Sequence, residues 1–144
     1  IDESFYAGLL PKIGGVSILY GKTYDLLNQS TAGLITSGTA TLETTLLGVP
    51  QVVCYKGNPI SYRIAKSLIK IKFISLVNLI MDEEVVRELI QKECNVAEMK
   101  KELKEILPNG NKRKAISLKY TKLIEVLGAG GASKKIAASI LEKL

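Results

Sequence analysis

The side chains with the clearest capacity for binding chemistry lie in one short segment, Ser37-Gly38-Thr39-Ala40-Thr41-Leu42-Glu43. An apolar run precedes this segment, and a helix-like stretch follows it. A strand, a tight turn of small residues and a helix N-terminus form an anion site, because the first N–H groups of a helix have no partner within the helix and its dipole favours negative charge. Ser37 and Thr39 add hydroxyl donors, and Gly38 allows close approach of a ligand.

Glu43 lies one helical turn beyond this turn. A carboxylate accepts hydrogen bonds from hydroxyl groups, so a sugar diol suits it better than a phosphate does. The segment therefore predicts a seat for a nucleoside diphosphate and its ribose. The residues alone leave a simpler interpretation open, in which small residues are present only because the turn is tight.

The composition restricts the remaining chemistry. The chain has 144 residues, 47% of them hydrophobic and 24% charged, which is ordinary for one globular domain with a core. It has no histidine, which excludes Ser-His-Asp catalysis and the usual zinc sites. No Asp-x-Asp pair or clustered carboxylates indicate a metal, and we expect neither a metal nor another cofactor. Cys54 and Cys94 lack metal-ligand spacing and indicate reduced structural thiols in the cytosol.

The net charge of +6 has a local origin. Residues 56–72 contain five cations and no acid: Lys56, Arg63, Lys66, Lys70 and Lys72. Such a patch can meet phosphate, nucleic acid or anionic lipid, or it can be a solvated helix face. We expect no nucleic-acid partner, because no aromatic residues alternate with these cations.

Two further observations concern the place of the chain in a cell. No apolar run reaches the ~20 residues that span a bilayer. The N-terminus has no signal-peptide pattern and no initiating Met, from which we expect a fragment or a processed chain.

Four short runs are typical of β-strands, and helical segments lie between them. The runs are residues 16–20, 33–36, 51–55 and 73–76. Three are mainly continuous apolar runs, as in strands covered on both faces. We therefore predict an α/β fold, a Rossmann-like parallel sheet of about four strands followed by C-terminal helices.

Helix signals recur along the chain. Gly48 and Pro50 end a helix from about residue 40, and an apolar stripe beside the cations consists of Ile60, Ile64, Leu68 and Ile71. Asp82 is predicted to cap a helix with Val85, Val86, Leu89 and Ile90, and Asn95 with Glu98 forms a capping-box pair. A buried stripe of Ile116, Tyr120, Leu123 and Leu127 ends at Gly128, and Ser133 is predicted to cap a last helix. The glycine-rich residues 128–132 indicate a hinge, so we predict one domain at residues 1–128 and a hinge with a C-terminal helix at 129–144.

Ordered blocks of this sequence resemble the lipid-A-disaccharide synthases. The blocks are Tyr20-Gly21-Lys22-Thr23-Tyr24-Asp25-Leu26-Leu27, the segment Ser37–Glu43, Leu47-Gly48-Val49-Pro50-Gln51-Val52-Val53, Tyr55-Lys56-Gly57, Pro59-Ile60-Ser61-Tyr62, Ile64-Ala65-Lys66, Phe73-Ile74-Ser75-Leu76-Val77-Asn78-Leu79-Ile80, Glu88-Leu89-Ile90-Gln91 and Gly130-Gly131-Ala132-Ser133. The resemblance covers most of the chain and is densest from residue 20 to residue 91.

The resemblance implies an inverting GT-B glycosyltransferase that joins UDP-2,3-diacylglucosamine to 2,3-diacylglucosamine 1-phosphate (lipid X), giving the tetraacyl disaccharide 1-phosphate and UDP. This chain resembles only the later part of the C-terminal, donor-binding domain. The implied donor contacts are Ser37, Gly38 and Thr39 at the phosphates, Glu43 at the ribose and Asn78 near the interdomain cleft. No catalytic residue is expected here, since the N-terminal acceptor domain would supply the base.

Further expectations follow from that resemblance. It places the enzyme in the cytoplasm, peripheral at the inner membrane of a Gram-negative bacterium, where the cations Arg63, Lys66 and Lys70 would dock on anionic lipid. Exposed strand edges would favour a homo-oligomer or a rearranged sheet.

The sequence also departs from the family pattern at two points. Val77 replaces a frequent Pro before Asn78, and Met81-Asp82-Glu83 replaces a frequent Ala-Gly-Arg with its basic donor contact. Two alternatives remain: a non-catalytic α/β module that binds a nucleotide or phosphorylated ligand, and a sugar-nucleotide transferase acting on a lipid-linked murein precursor.

Overall fold

The computed structural model describes residues 5, 6, 8, 15–58, 62, 72–128 and 130–142. The chain forms two compact units, Ile1–Ser30 and Thr31–Leu144. The predicted boundary between residues 128 and 129 lies within the second unit, and that division stays a prediction. The cations Arg63, Lys66 and Lys70, with the apolar stripe beside them, lie outside the described residues.

In the first unit, the helix α1 spans Thr23–Gln29. Lys22 occupies its N-cap position without a side-chain cap. The strand predicted at residues 16–20 is wrong, since these residues have no regular structure. Val16 and Leu19 are half exposed, and a strand with no ladder partner leaves its backbone groups to water.

The second unit contains a three-stranded sheet and the helices that pack against it. Its elements in chain order are β1 (Gly33–Thr36), α2 (Thr39–Leu46), β2 (Gln51–Tyr55), α3 (Leu76–Met81), β3 (Glu88–Ile90), α4 (Val96–Ile106), α5 (Arg113–Leu127) and α6 (Ala132–Leu141). Within the described ranges, no helix has the length and apolar character that a membrane crossing requires.

All strand pairs in the sheet are parallel, and the order is β1-β2-β3. Gly33 pairs with Gln51 at one end of the β1–β2 ladder, and Tyr55 pairs with Ile90 at one end of the β2–β3 ladder. The predicted parallel α/β fold is therefore confirmed, with three strands in the described part of the chain instead of about four. Since parallel strands end at one edge, residues 36, 55 and 90 share the carboxyl edge of the sheet.

Two predicted elements between residues 73 and 90 are wrong. Residues 73–76 are not a strand, because the N–H groups of Ile74 and Ser75 donate to the Glu88 carboxylate and Ser75 then caps α3. Asp82 does not begin a helix. It ends α3 in a left-handed conformation with φ 48°, and Glu88–Ile90 forms β3. Apolar pairs at positions 85, 86, 89 and 90 fit either a helix or a buried strand.

The core forms where β2 meets the surrounding helices. Gln51, Val52 and Val53 are consecutive and fully buried, so both faces of β2 are covered. The helices α2 and α4 each contact β1 and β2, while α5 contacts α2 and α3. The buried apolar cluster consists of Val52, Val53, Val77, Val85, Val86, Leu89, Cys94, Ile106, Ile116, Tyr120 and Leu123.

Several predicted helix ends are confirmed. The Asn95 side chain accepts a hydrogen bond from the Glu98 N–H at 3.1 Å and caps α4. Gly128, with φ 77°, follows the last residue of α5. At the last helix, Gly131 holds the N-cap position without a side-chain cap, so capping by Ser133 is wrong. Leu127 continues the α5 stripe by sequence but remains 42% exposed, because the stripe extends past the core.

Both cysteines are free thiols, as predicted, and they lie next to each other. Burial, followed by the neighbouring Cys94 thiol, raises the pKa of the Cys54 thiol from 9.0 to about 11. A nucleophilic thiolate is therefore disfavoured at neutral pH, and the pair is structural.

This shift predicts an alkaline loss of stability. A thiol whose pKa is raised by folding stabilises the folded state fully below pH 9 and loses that contribution as the pH rises to about 11. We expect the free energy of unfolding to fall over this range and to fall less steeply in Cys54→Ser. Urea unfolding at several pH values measures the difference, and identical slopes for the two proteins would refute it.

Candidate functional site

The predicted anion site is the turn that joins β1 to α2. Gly38 occupies the N-cap position of α2 with φ 121° and ψ −161°, a region of backbone conformation that essentially only glycine adopts. No side chain caps this helix. Gly38 and Thr39 are exposed and Ser37 is half-buried. The turn therefore opens the first amides of α2 to solvent at the carboxyl edge of the sheet.

The side chains predicted to bind a ligand at this turn remain unengaged. Within the described part of the chain, Ser37, Thr39 and Glu43 make no side-chain hydrogen bond or ion pair. Thr39 and Glu43 are four residues apart on α2, so they lie on the same helical face. Glu43 is half-buried. These three residues and Gly38 therefore lie at the β1–α2 turn and the start of α2, and their contact with a ligand stays a prediction.

The opposite face of α2 is held by buried polar contacts. Thr41, Thr44 and Thr45 are almost fully buried, and their hydroxyls donate to backbone carbonyls of the preceding turn at 2.7–3.0 Å. The Gln51 Nε2 donates to the Thr41 carbonyl at 2.8 Å and to the Thr45 hydroxyl at 3.0 Å. These contacts fix α2 on β2, which keeps the exposed turn in one orientation.

Tyr120 extends this polar contact to α5. Its hydroxyl donates to the Val49 carbonyl at 3.3 Å and receives a hydrogen bond from Gln51 at 3.4 Å. Burial raises the pKa of Tyr120, while the hydrogen bonds to its neighbours act in the opposite direction. The hydroxyl therefore stays protonated and available as a donor. The helical spacing of Tyr120 predicted only an apolar core residue.

Asn78, the fifth predicted contact, lies elsewhere. It is on α3 and fully buried. Its Nδ2 donates to the Val86 carbonyl at 2.8 Å and to the Glu88 carboxylate at 2.9 Å, while its Oδ1 accepts from the N–H groups of Val85 and Val86 at 2.8 and 3.0 Å. An asparagine side chain has two donor hydrogens and two acceptor positions. The structure uses all four inside the protein, so Asn78 presents no free group to a ligand.

Glu88, which the sequence did not single out, organises the surroundings of Asn78. It is only 7% exposed. Besides Asn78, its carboxylate accepts hydrogen bonds from the Ile74 N–H at 2.9 Å, the Ser75 N–H at 2.9 Å and the Ser75 hydroxyl at 2.8 Å. The only sequence signal for this network was a glutamate inside the apolar run Val85–Ile90. Glutamates are almost never fully buried unless they are paired, so such a residue indicates buried hydrogen-bond partners.

A separate cleft of about 300 Å³ lies between the segment before β3, α4 and α5. The cations in its lining are already paired with acids. The pairs are Arg87 with Glu84 and Glu93, Lys112 with Glu102, and Lys119 with Glu83. Because these cations are paired, the cleft offers little free positive charge to an anion. The β1–α2 turn is therefore the better candidate for an anion site.

An open helix N-terminus at the carboxyl edge of a parallel sheet is typical of α/β proteins that bind nucleotides or other phosphorylated ligands. Comparison with known proteins is more specific. The family model described as lipid-A-disaccharide synthetase matches residues 14–141. The chain belongs to this family, which confirms the resemblance seen in the sequence.

Curated relatives agree with this assignment. The chain is 38% identical over 143 residues to the lipid-A-disaccharide synthase of Syntrophus aciditrophicus (strain SB), covering 98% of this chain and 37% of that protein. It is 41% identical over 124 residues to the Aquifex aeolicus (strain VF5) protein of the same name, covering 85% and 33% of the two chains. The Psychromonas ingrahamii protein is 43% identical over 110 residues, with 76% and 28% covered. The chain thus spans about a third of the length of these relatives.

Proposed function

We propose that this chain supplies the UDP-sugar binding part of a lipid-A-disaccharide synthase. The β1–α2 turn carries this proposal, because it presents uncapped helix amides and free hydroxyls next to a free carboxylate. The amides of α2, with Ser37 and Thr39, would bind the diphosphate. Glu43 would accept hydrogen bonds from the ribose hydroxyls.

In this proposal the chain serves the transfer of 2,3-diacylglucosamine from its UDP donor to lipid X. Helix amides and hydroxyls at the turn would stabilise the negative charge that develops on the UDP leaving group during displacement at the anomeric carbon. The base that deprotonates the acceptor would come from the acceptor-binding part of the enzyme. We therefore expect the 144-residue chain to bind UDP without forming disaccharide.

Asn78 enters this proposal in a different role from the one that the resemblance implied. Since its amide is fully hydrogen-bonded inside the protein, we assign it to the support of α3 and not to direct donor contact. The direct contacts are then Ser37, Gly38, Thr39 and Glu43.

The cellular setting is part of the same proposal. A disaccharide synthase that uses lipid X works at a membrane surface, and the cations Arg63, Lys66 and Lys70 would attract anionic lipid there. Cytoplasmic placement at the inner membrane and self-association remain predictions.

The ribose contact predicts a sugar-specific loss of affinity in Glu43→Ala. We expect this variant to bind UDP about 10- to 150-fold more weakly, because a hydrogen bond to a charged acceptor contributes about 1.5–3 kcal/mol. Its affinity for uracil alone should not change. Isothermal titration calorimetry measures both ligands.

Glu125→Ala is the matched control, since Glu125 is exposed on α5 and carries the same charge. It should bind UDP like the wild type. If Glu43→Ala lost the same factor of affinity for UDP and for uracil, Glu43 would not contact the ribose. Absence of UDP binding by the wild-type chain would refute the donor site and leave the alternative of a module for another phosphorylated ligand.

A further inference from the structure

We infer that Glu88 is a positioning residue for the anion site at the β1–α2 turn, an inference that rests on the function proposed above. Glu88 lies on β3, and none of its contacts involves that turn. Its carboxylate receives four hydrogen bonds of 2.8–2.9 Å from Ile74, Ser75 and Asn78. Such charge-assisted bonds are roughly twice as strong as neutral ones.

These bonds fix the start of α3. Ser75 is the N-cap residue of α3, and a negative charge is stabilised at that end of a helix. The carboxylate therefore holds the two residues that lead into α3. Asn78 joins the same network to the segment before β3 through the N–H groups of Val85 and Val86. The N-cap and the middle of α3 are thereby attached to β3 and the turn before it.

The short length of α3 makes this attachment decisive. A helix of six residues has almost no stability of its own and adopts the place that its tertiary contacts give it. Glu88 is fixed in turn by the sheet, since it pairs with Val53 in the β2–β3 ladder. The position of α3 therefore depends on side-chain hydrogen bonds from β3.

The site helix α2 rests on α3. The two helices pack against each other, and Leu42 contacts the buried cluster that contains Val77 of α3. Leu42 directly precedes Glu43, the proposed ribose contact. A shift of α3 would therefore move α2 and change the directions of its first amides. This is how Glu88 acts on the site without touching a ligand.

The test is UDP affinity in the full 144-residue chain carrying Glu88→Gln. Glutamine keeps the size of the side chain but directs an NH₂ group at donors, which breaks part of the network. We expect a folded protein that binds UDP about three- to tenfold more weakly. Hydrogen exchange of the α2 amides should be faster than in the wild type, a readout that needs no ligand.

Ile106→Val is the control for general destabilisation. Ile106 is buried at the end of α4, which contacts β1 and β2. This variant should lose thermal stability and keep wild-type UDP affinity. Ser75→Ala is a milder change in the same network, and it replaces Glu88→Gln if that variant does not fold.

The outcomes separate the two claims. Weakened UDP binding in the network variants, with normal binding in Ile106→Val, supports the positioning role. The positioning role would be overturned if a folded network variant kept wild-type UDP affinity and wild-type hydrogen exchange of the α2 amides. It would also be overturned if Ile106→Val lost as much UDP affinity as the network variants. Either result would leave the UDP site itself intact. If the wild-type chain binds no UDP, the proposed function fails first, and the inference fails with it.

Discussion

Replacing Gly38 by valine is expected to abolish most UDP binding. Gly38 has φ 121° and ψ −161°, and a residue with a Cβ avoids that region at a cost of about 1–3 kcal/mol. A valine would therefore force the turn into another conformation and redirect the first amides of α2. Calorimetric titration of Gly38→Val with UDP should show affinity at least about tenfold weaker.

Gly48→Ala provides a matched control at the other end of α2. Gly48 also has a positive φ, 72°, and open space around the position of a Cβ. Its replacement should strain the backbone and lower stability, yet leave UDP affinity within about twofold of the wild type. If Gly38→Val binds UDP normally while folded, the β1–α2 turn does not hold the diphosphate.

Replacing Glu88 by alanine is expected to lower the free energy of unfolding by about 3–5 kcal/mol. The change leaves the buried donors of Ser75 and Asn78 and the half-buried N–H of Ile74 without an acceptor, and each buried unsatisfied group costs about 1–3 kcal/mol. Urea unfolding followed by circular dichroism measures the loss. An effect of this size is a large part of the stability of a typical domain.

Glu84→Ala is the comparison for Glu88→Ala. Glu84 forms a 3.6 Å ion pair with Arg87 on a side chain that is 52% exposed. Exposed pairs of this kind contribute about 0–1 kcal/mol, so this variant should be close to the wild type. Similar losses in both variants would mean that the carboxylate of Glu88 does not hold the buried network.

Local sequence signals predicted the β1–α2 turn, because its elements are consecutive in the chain, and the binding of a ligand there stays a prediction. The strand β1, the glycine turn and the start of α2 occupy consecutive residues, and each follows from backbone preferences and helix-end chemistry. The same holds for the Asn95 cap of α4 and for Gly128 after α5. These features need no knowledge of distant parts of the chain.

The region between residues 73 and 90 could not be predicted in this way. There, apolar residues fit a strand or a helix equally well, and the choice is made by hydrogen bonds between side chains and distant backbone groups. Ile74 and Glu88 are fourteen residues apart in the chain. Because Glu88–Ile90 forms β3 and pairs with β2, these residues are in a strand and not in a helix.

Asn78 illustrates the same limit for the site. A motif match suggested a ligand contact, whereas the structure gives every polar group of its side chain an internal partner. Gln51 and Tyr120 were predicted as strand and core residues, yet they are joined by a hydrogen bond across 69 positions. Contacts between residues so far apart in the chain are determined by the assembled fold, so local sequence patterns do not predict them.

A crystal structure of the 144-residue chain grown with UDP tests the central claim most directly. We predict the diphosphate within hydrogen-bond distance, about 2.7–3.2 Å, of the Thr39 and Ala40 N–H groups, with the ribose hydroxyls at the Glu43 carboxylate. UDP bound at any other surface, or a β1–α2 turn without ligand at saturating UDP, would contradict the account.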